Sequence, residues 1–257
     1  MLQGAGIVGN AWRPQVDALA PRYTVITNDN RGIGVSTRGE GPLTIEAMAD
    51  DALAILEAEG VERFHLAGHS MGGLIAQQIA LTVPERVTSL ALLCTFSRGP
   101  QAARFTASML WTALRMRIGP RQLRRNAFME LVMPAHHLRT ADRVQLAETL
   151  QPLFGHDLAD QPSIVMQQVR AMSRFDVSAN LRRLESIPTL VVSAVHDRIA
   201  LPSFGRALSA AIRGSRYVEW PDAGHGVTIQ CAGPINELLS QHFTQADERH
   251  LSASPAS

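Results

Sequence analysis

Apolar positions along the chain fall into two rhythms that alternate. Runs that are apolar at most positions occur at Phe64–Ala67, Val87–Leu93 and Thr189–Ser193, with more mixed versions at Tyr23–Asn28 and Arg216–Trp220. Such runs predict short strands, buried on both faces where the run is unbroken. Between them the spacing turns helical. Ile45, Met48, Leu53, Ile55 and Leu56 predict a helix over Thr44–Glu59. Leu74–Val83, stopped by Pro84, and Pro202–Ala211 and Pro234–Phe243 predict three more. Strand and helix in alternation predict an α/β fold, a mostly parallel sheet with helices on both faces.

From Phe96 to near Leu184 the alternation stops. Helical patterns near Gln101–Arg117, Pro120–Val132, Ala141–Leu150 and Pro162–Arg174 follow one another without a strand. The chain is therefore expected to divide into a core, 1–96 and 185–243, and a helical insertion, 97–184. A polar tail, 244–257, is expected to be disordered. Met109, Trp111, Met116, Met129 and Met133 either line an apolar pocket or form the insertion's own core.

The chain has 257 residues, 46% of them hydrophobic, enough to bury one large core. A formal charge of +1 gives no global field for nucleic acid. All 24 basic residues are arginine, and nine of them lie between Arg98 and Arg143 against only Glu130 and Asp142. That stretch reads as a solvated helix face or as an attraction for an acidic substrate, such as a carboxylate-bearing lactone or a CoA thioester. Cys94 and Cys231 form no disulfide framework and no metal-ligand spacing. With no long apolar run and no leader pattern, the expectation is a cytoplasmic protein without membrane contact.

Chemistry concentrates at Gly68-His69-Ser70-Met71-Gly72, a G-x-S-x-G motif between a predicted strand and a predicted helix. A serine at the apex of so tight a turn is held in a strained conformation and faces a helix N-terminus. Glycine two residues to either side gives the turn room. A serine hydroxyl needs a base, and the base needs an orienting acid. His225, in Asp222-Ala223-Gly224-His225-Gly226, alone among nine histidines sits in a small-residue loop after a predicted strand. Asp197 follows the strand Pro188–Ser193 and is the expected acid; Asp222 is assigned to shaping the turn. His69 is expected to be a packed side chain pointing away from Ser70. The oxyanion hole is expected from the backbone N–H groups of Met71 and Ala5, the latter in the glycine loop Gly4–Gly9.

The order Ser70, Asp197, His225 and the elbow motif resemble the α/β-hydrolase superfamily. The resemblance extends to Gly4–Gly9 with Ala11–Gln15, and to Asp29–Ser36, and covers nearly the whole chain. It is closest to the 3-oxoadipate enol-lactonase, aminoacrylate-hydrolase and cofactor-free haloperoxidase-like group. It implies that 97–184 is a cap over the site, that no cofactor or metal is needed, and that Asp29 and Arg31 brace a loop. The usual His-Gly pair is Gln3-Gly4 here. A serine elbow implies cleavage of a small ester, lactone or thioester. Acyl transfer, perhydrolysis, or ligand sensing on the same fold are the alternatives. The resemblance also implies a strand leading into the oxyanion loop, for which only Met1, Leu2 and Gln3 stand ready, and two strands before it. The natural protein is therefore expected to begin roughly 20–30 residues earlier, or this form to be unstable or inactive.

Overall fold

The structure, a computed structural model, describes residues 1–102 and 106–253. Four parallel strands, β1 (Phe64–His69), β2 (Val87–Leu93), β3 (Thr189–Ala194) and β4 (Arg216–Trp220), form a sheet in that order. β2 and β3 are almost wholly buried, as their unbroken apolar sequences require. His69 lies opposite Leu93, Leu93 opposite Val192 and Ala194 opposite Trp220, so the C-terminal ends of the strands finish within two residues of one another.

A 3-10 turn (Gly9–Trp12) runs into α1 (Arg13–Leu19), and α2 (Ile45–Ala58) is capped by the Thr44 hydroxyl on Ala47 N–H. α3 (Met71–Thr82) follows β1 without a spacer. Between β2 and β3 come α4 (Gly99–Ala102), α5 (Ala107–Arg115), α6 (Arg121–Val132), α7 (Ala135–Thr140), α8 (Arg143–Phe154) and α9 (Val165–Arg174). The middle of the helix predicted over Gln101–Arg117 lies outside the described residues. The chain closes with α10 (Pro202–Ala211), α11 (Val227–Gln230) and α12 (Ala232–Ala253).

α12 overturns the expectation of a disordered tail from Thr244. Phe243 and Ala246 are buried, Phe243 stacks on His65 at 4.8 Å, and Asp247 reaches His65 Nε2 at 3.0 Å. These contacts anchor α12 as far as Asp247, and the turns beyond it are exposed. Residues 254–257 of the predicted tail lie outside the described residues.

The predicted strand Tyr23–Asn28 is likewise not a strand. A strand is defined by a neighbour to which its N–H and C=O groups bond, and a groove of about 510 Å³ separates this segment from β1. Val25, Ile26, Phe64 and Leu66 line it. Only its far end is bridged: Leu2 N–H donates to Ala67 O at 2.8 Å, His69 N–H donates to Leu2 O at 3.1 Å, and the Met1 amine donates to Ile26 O at 2.7 Å.

Two apolar cores result. The larger surrounds the sheet and includes Trp12, Ile45, Leu74, Leu90 and Leu239. The smaller lies among α6, α7 and α8, around Phe128, Met129, Leu150 and Phe154, with the two phenylalanine rings edge-on at 5.4 Å. Ala171, Met172 and Phe175, at the end of α9, belong to the larger core and seat the insertion on the sheet. No helix among the described residues is long and apolar enough to cross a membrane.

Candidate active site

The turn between β1 and α3 has the geometry its glycines predict. Ser70 sits at φ 55°, ψ −120°, in a region that L residues rarely adopt. A Cβ on Gly68 would collide with the Gly72 carbonyl, and one on Gly72 would collide with the Leu2 carbonyl. The strain is held from three sides. Ser70 N–H donates to Leu93 O at 3.0 Å, while Thr95 Oγ1 and Gly73 N–H donate to Ser70 O at 2.7 and 2.9 Å.

Asp197 stands in the loop after β3, and its side chain is fully buried. One oxygen, Oδ1, accepts from Ile199 N–H at 2.7 Å and Ala200 N–H at 2.9 Å. The other, Oδ2, lies 2.7 Å from Nδ1 of His225. That fixes the imidazole as an Nδ1–H donor and leaves Nε2 free as an acceptor. The His225 loop is held by α6 of the insertion, where Gly226 N–H donates to Val132 O at 2.8 Å. Gln230 spans the turn, accepting from Gly224 N–H and donating to Asp222 O. Asp222 is exposed and contributes its backbone to the turn. Ser70 and His225 make no hydrogen bond to each other among the described residues; such bonds tighten when substrate fills a site.

His69 packs beneath the site, its Nε2 2.8 Å from His225 O and its ring 4.9 Å from that of His225. Burial, and then the neighbouring His225, lower its pKa to about 3, so it is neutral. Cys94, at φ 46° directly after β2, lies against Asp197. Burial, and then the carboxylate beside it, push its thiol well above the usual range, so it stays protonated. His69, Cys94 and His225 place three ligating atoms within 4.8 Å of one another. A metal there would have to displace a contact of His69, whose two ring nitrogens face Gln3 Oε1 and His225 O.

Opposite the turn runs the glycine loop. Gly4 N–H donates to Gln3 Oε1 at 2.8 Å and Gly6 N–H donates to Gln168 Oε1 at 2.8 Å. Ala5 N–H, between them, and Met71 N–H, in the first turn of α3, have no protein acceptor among the described residues. The loop is close: a Cβ on Gly4 would lie 3.2 Å from Ser70 Cβ. Asp29 braces the loop by accepting from Gly9 N–H at 2.7 Å, and Arg31 forms a two-pronged pair with Asp51.

A cleft of about 880 Å³ opens between the cap and the Asp197 loop. Met109, Met133, Leu138 and Phe204 give it apolar walls, and Arg139 and Arg198 add charge. Of the other residues raised as pocket candidates, Met129 is buried in the cap core, Met116 packs against that core, and Trp111 is exposed. Most of the basic stretch is neutralised by acids from its own end or from farther on. Arg115 and Arg143 pair with Glu130, Arg121 and Arg125 with Asp157, Arg124 with Asp160, and Arg98 with Asp176.

A family profile described as the alpha/beta hydrolase fold matches residues 1–230. The chain belongs to the α/β-hydrolase fold family. Among proteins similar to this α/β hydrolase is one from Azorhizobium caulinodans named "Putative carbamate hydrolase RutD", 31% identical over 251 residues, covering 96% of this chain and 92% of that protein. The enol-lactonase from Burkholderia xenovorans is 28% identical with a TM-score of 0.75, covering 95% of this chain and 89% of that one. A Mycobacterium tuberculosis structure titled "Putative non-heme bromoperoxidase BpoC" is 26% identical with a TM-score of 0.80, covering 95% and 91%. Three residues of this α/β hydrolase's site carried no sequence signal of their roles. Gln3 Oε1 accepts from Gly4 N–H and lies 3.1 Å from His69 Nδ1, Cys94 lies against Asp197, and Gln168 reaches Gly6 across 162 positions.

Proposed function

We propose that this α/β hydrolase cleaves a small ester, lactone or thioester through an acyl intermediate on Ser70. The observation that carries the reading is the buried Asp197–His225 pair, bonded at 2.7 Å with Nε2 left free, beside a serine held at positive φ. In this mechanism His225 Nε2 takes the Ser70 proton as Oγ attacks the carbonyl carbon. Asp197 stabilises the imidazolium that forms. The N–H groups of Met71 and Ala5 hold the developing oxyanion. His225 then gives its proton to the leaving oxygen or sulfur. Water, activated by the same Nε2, attacks the acyl-enzyme and frees the acid and Ser70. Each step uses a group of this chain and calls for no cofactor or metal.

Carbamates are the second substrate class, favoured by the names of relatives at 31% and 32% identity. They offer the same carbonyl carbon to Ser70. Acyl transfer and perhydrolysis differ only in what enters at the second step, and a sensor would bind without turnover. The cytoplasm is the proposed setting.

The test is a fluorophosphonate probe with peptide mapping, beside turnover of ester, lactone, thioester and carbamate panels. One adduct on Ser70 is expected, together with a fall in kcat of about 10⁶ for Ser70→Ala. An adduct elsewhere, or turnover surviving in Ser70→Ala, overturns the proposal. Tight binding with no turnover selects the sensor.

A further inference from the structure

We infer that two cap side chains, Gln168 and His156, are positioning residues for the oxyanion loop, so that the hole is assembled only when the cap is seated. This rests on the serine-hydrolase reading above and adds to it a control point outside the reacting groups.

Gly6 is held at both of its backbone polar groups, and both partners come from the cap. Its N–H donates to Gln168 Oε1 at 2.8 Å, and its carbonyl lies 3.2 Å from Nε2 of His156. Gln168, on α9, is fully buried, and its Nε2 has no partner, so the Gly6 bond alone orients that amide. Gly6 also lies at φ +76°, where a Cβ would come within 2.7 Å of Val165 on the same helix. The core holds the other end of the loop: Gly4 N–H is fixed by Gln3 Oε1, and Gln3 O accepts from Asn30 Nδ2 at 3.1 Å.

Ala5 N–H therefore points from a short arc with one end tied to the core and the other to the cap. An oxyanion donor acts only when it lies about 2.7–3.1 Å from the developing charge. A displacement of about 1 Å is enough to cost roughly a hundredfold in rate. Without Gln168 Oε1, the buried Gly6 N–H is left unpaired and its peptide turns to find another acceptor. The Ala5–Gly6 peptide joins the peptide that carries Ala5 N–H at Ala5 Cα, so the movement displaces that donor. Gln167, the adjacent residue, supplies an internal control. It also ties α9 to the core, accepting from Arg38 at 3.1 and 3.2 Å, but at the surface and away from the loop.

The experiment compares the full chain with Gln168→Met, His156→Leu and Gln167→Ala. It reads kcat and KM on a p-nitrophenyl ester and the rate of Ser70 phosphonylation by a fluorophosphonate. Gln168→Met is expected to lower kcat about 10- to 100-fold with KM held within about threefold, and to slow phosphonylation in proportion. His156→Leu is expected to give a smaller fall in the same parameters, and Gln167→Ala to match wild type within about twofold. Folded Gln168→Met with wild-type kcat overturns the inference. So does a Gln167→Ala that falls as far, since general cap seating would then be the cause. If Gln168→Met does not fold, the kcat and KM of His156→Leu decide. A wild type that is not labelled at Ser70 removes the underlying reading and this inference together. A labelled wild type with unaffected variants removes the inference alone.

Discussion

Replacing Asp197 by Asn tests the site where its geometry is most constraining. The carboxylate accepts three hydrogen bonds, two of them from backbone N–H groups that cannot move or lose their protons. An asparagine must therefore turn its oxygen toward Ile199 and Ala200 and its amide nitrogen toward His225. That NH₂ donates to Nδ1, so the imidazole is forced to carry its proton on Nε2, where it cannot accept one from Ser70. The productive tautomer returns only if the amide flips, which leaves both backbone N–H groups facing a donor. At about 1–3 kcal/mol for each buried unpaired group, the flip costs about 2–6 kcal/mol. Since a tenfold change in rate is about 1.4 kcal/mol, kcat at neutral pH is expected to fall by between about 30-fold and about 10⁴-fold. The assay is initial-rate hydrolysis of a p-nitrophenyl ester at saturating substrate, with circular dichroism and thermal midpoint to establish folding. A folded Asp197→Asn variant whose kcat stays within about tenfold of wild type would refute both the tautomer argument and the placing of Asp197 in the triad.

Three further outcomes are expected. Gly72→Ala places a methyl against the Leu2 carbonyl, a backbone atom that cannot step aside, and should lower unfolding free energy by about 3 kcal/mol or more in urea titrations; a loss under about 1 kcal/mol would contradict the packing. In native protein an aromatic disulfide reagent should titrate only half-buried Cys231, with Cys94 reacting on unfolding; rapid reaction of both would show that the sheet end beside Asp197 is open. His69 and His242 are both neutral when folded, burial holding their pKa values at about 3 and about 4 against 6.5 in the open chain. The unfolded state therefore binds more protons below pH 6.5, and stability should decline as pH falls from there toward 4 and 3. His242→Asn should flatten that decline in denaturant midpoints measured across the range, and an unchanged slope would reject the assignment.

What could be read from the sequence was local. The strained turn announces itself because Gly68 and Gly72 must be glycine wherever that backbone occurs, and β2 and β3 announce themselves because both faces are apolar. Asp197 and His225 were legible from their places after predicted strands. Gln168 was not, since a glutamine in a helical pattern looks the same whether it faces water or a glycine 162 residues away. Tyr23–Asn28 has strand-forming residues but no paired strand among the described residues, and pairing is a property of two segments that one cannot show. The tail misled in the opposite direction. Thr244–Ala253 is polar overall, yet Ala246 is buried and Asp247 meets both His65 and the Tyr23 hydroxyl, and composition averages such contacts away.

The separate core of the cap bears on how this protein can change over generations. Phe128, Met129, Leu150 and Phe154 pack chiefly on one another, and the arginines around them are neutralised mainly by acids within the cap. Met109 and Leu138, which line the cleft, belong to the insertion, whereas the turn at Ser70 is held by Leu93 and Thr95. Under the proposed function, substitutions in the insertion would alter the cleft without removing the bonds that hold Ser70. Gly6 marks the seam between the two, and a remodelled insertion that lost Gln168 would leave its buried N–H without an acceptor.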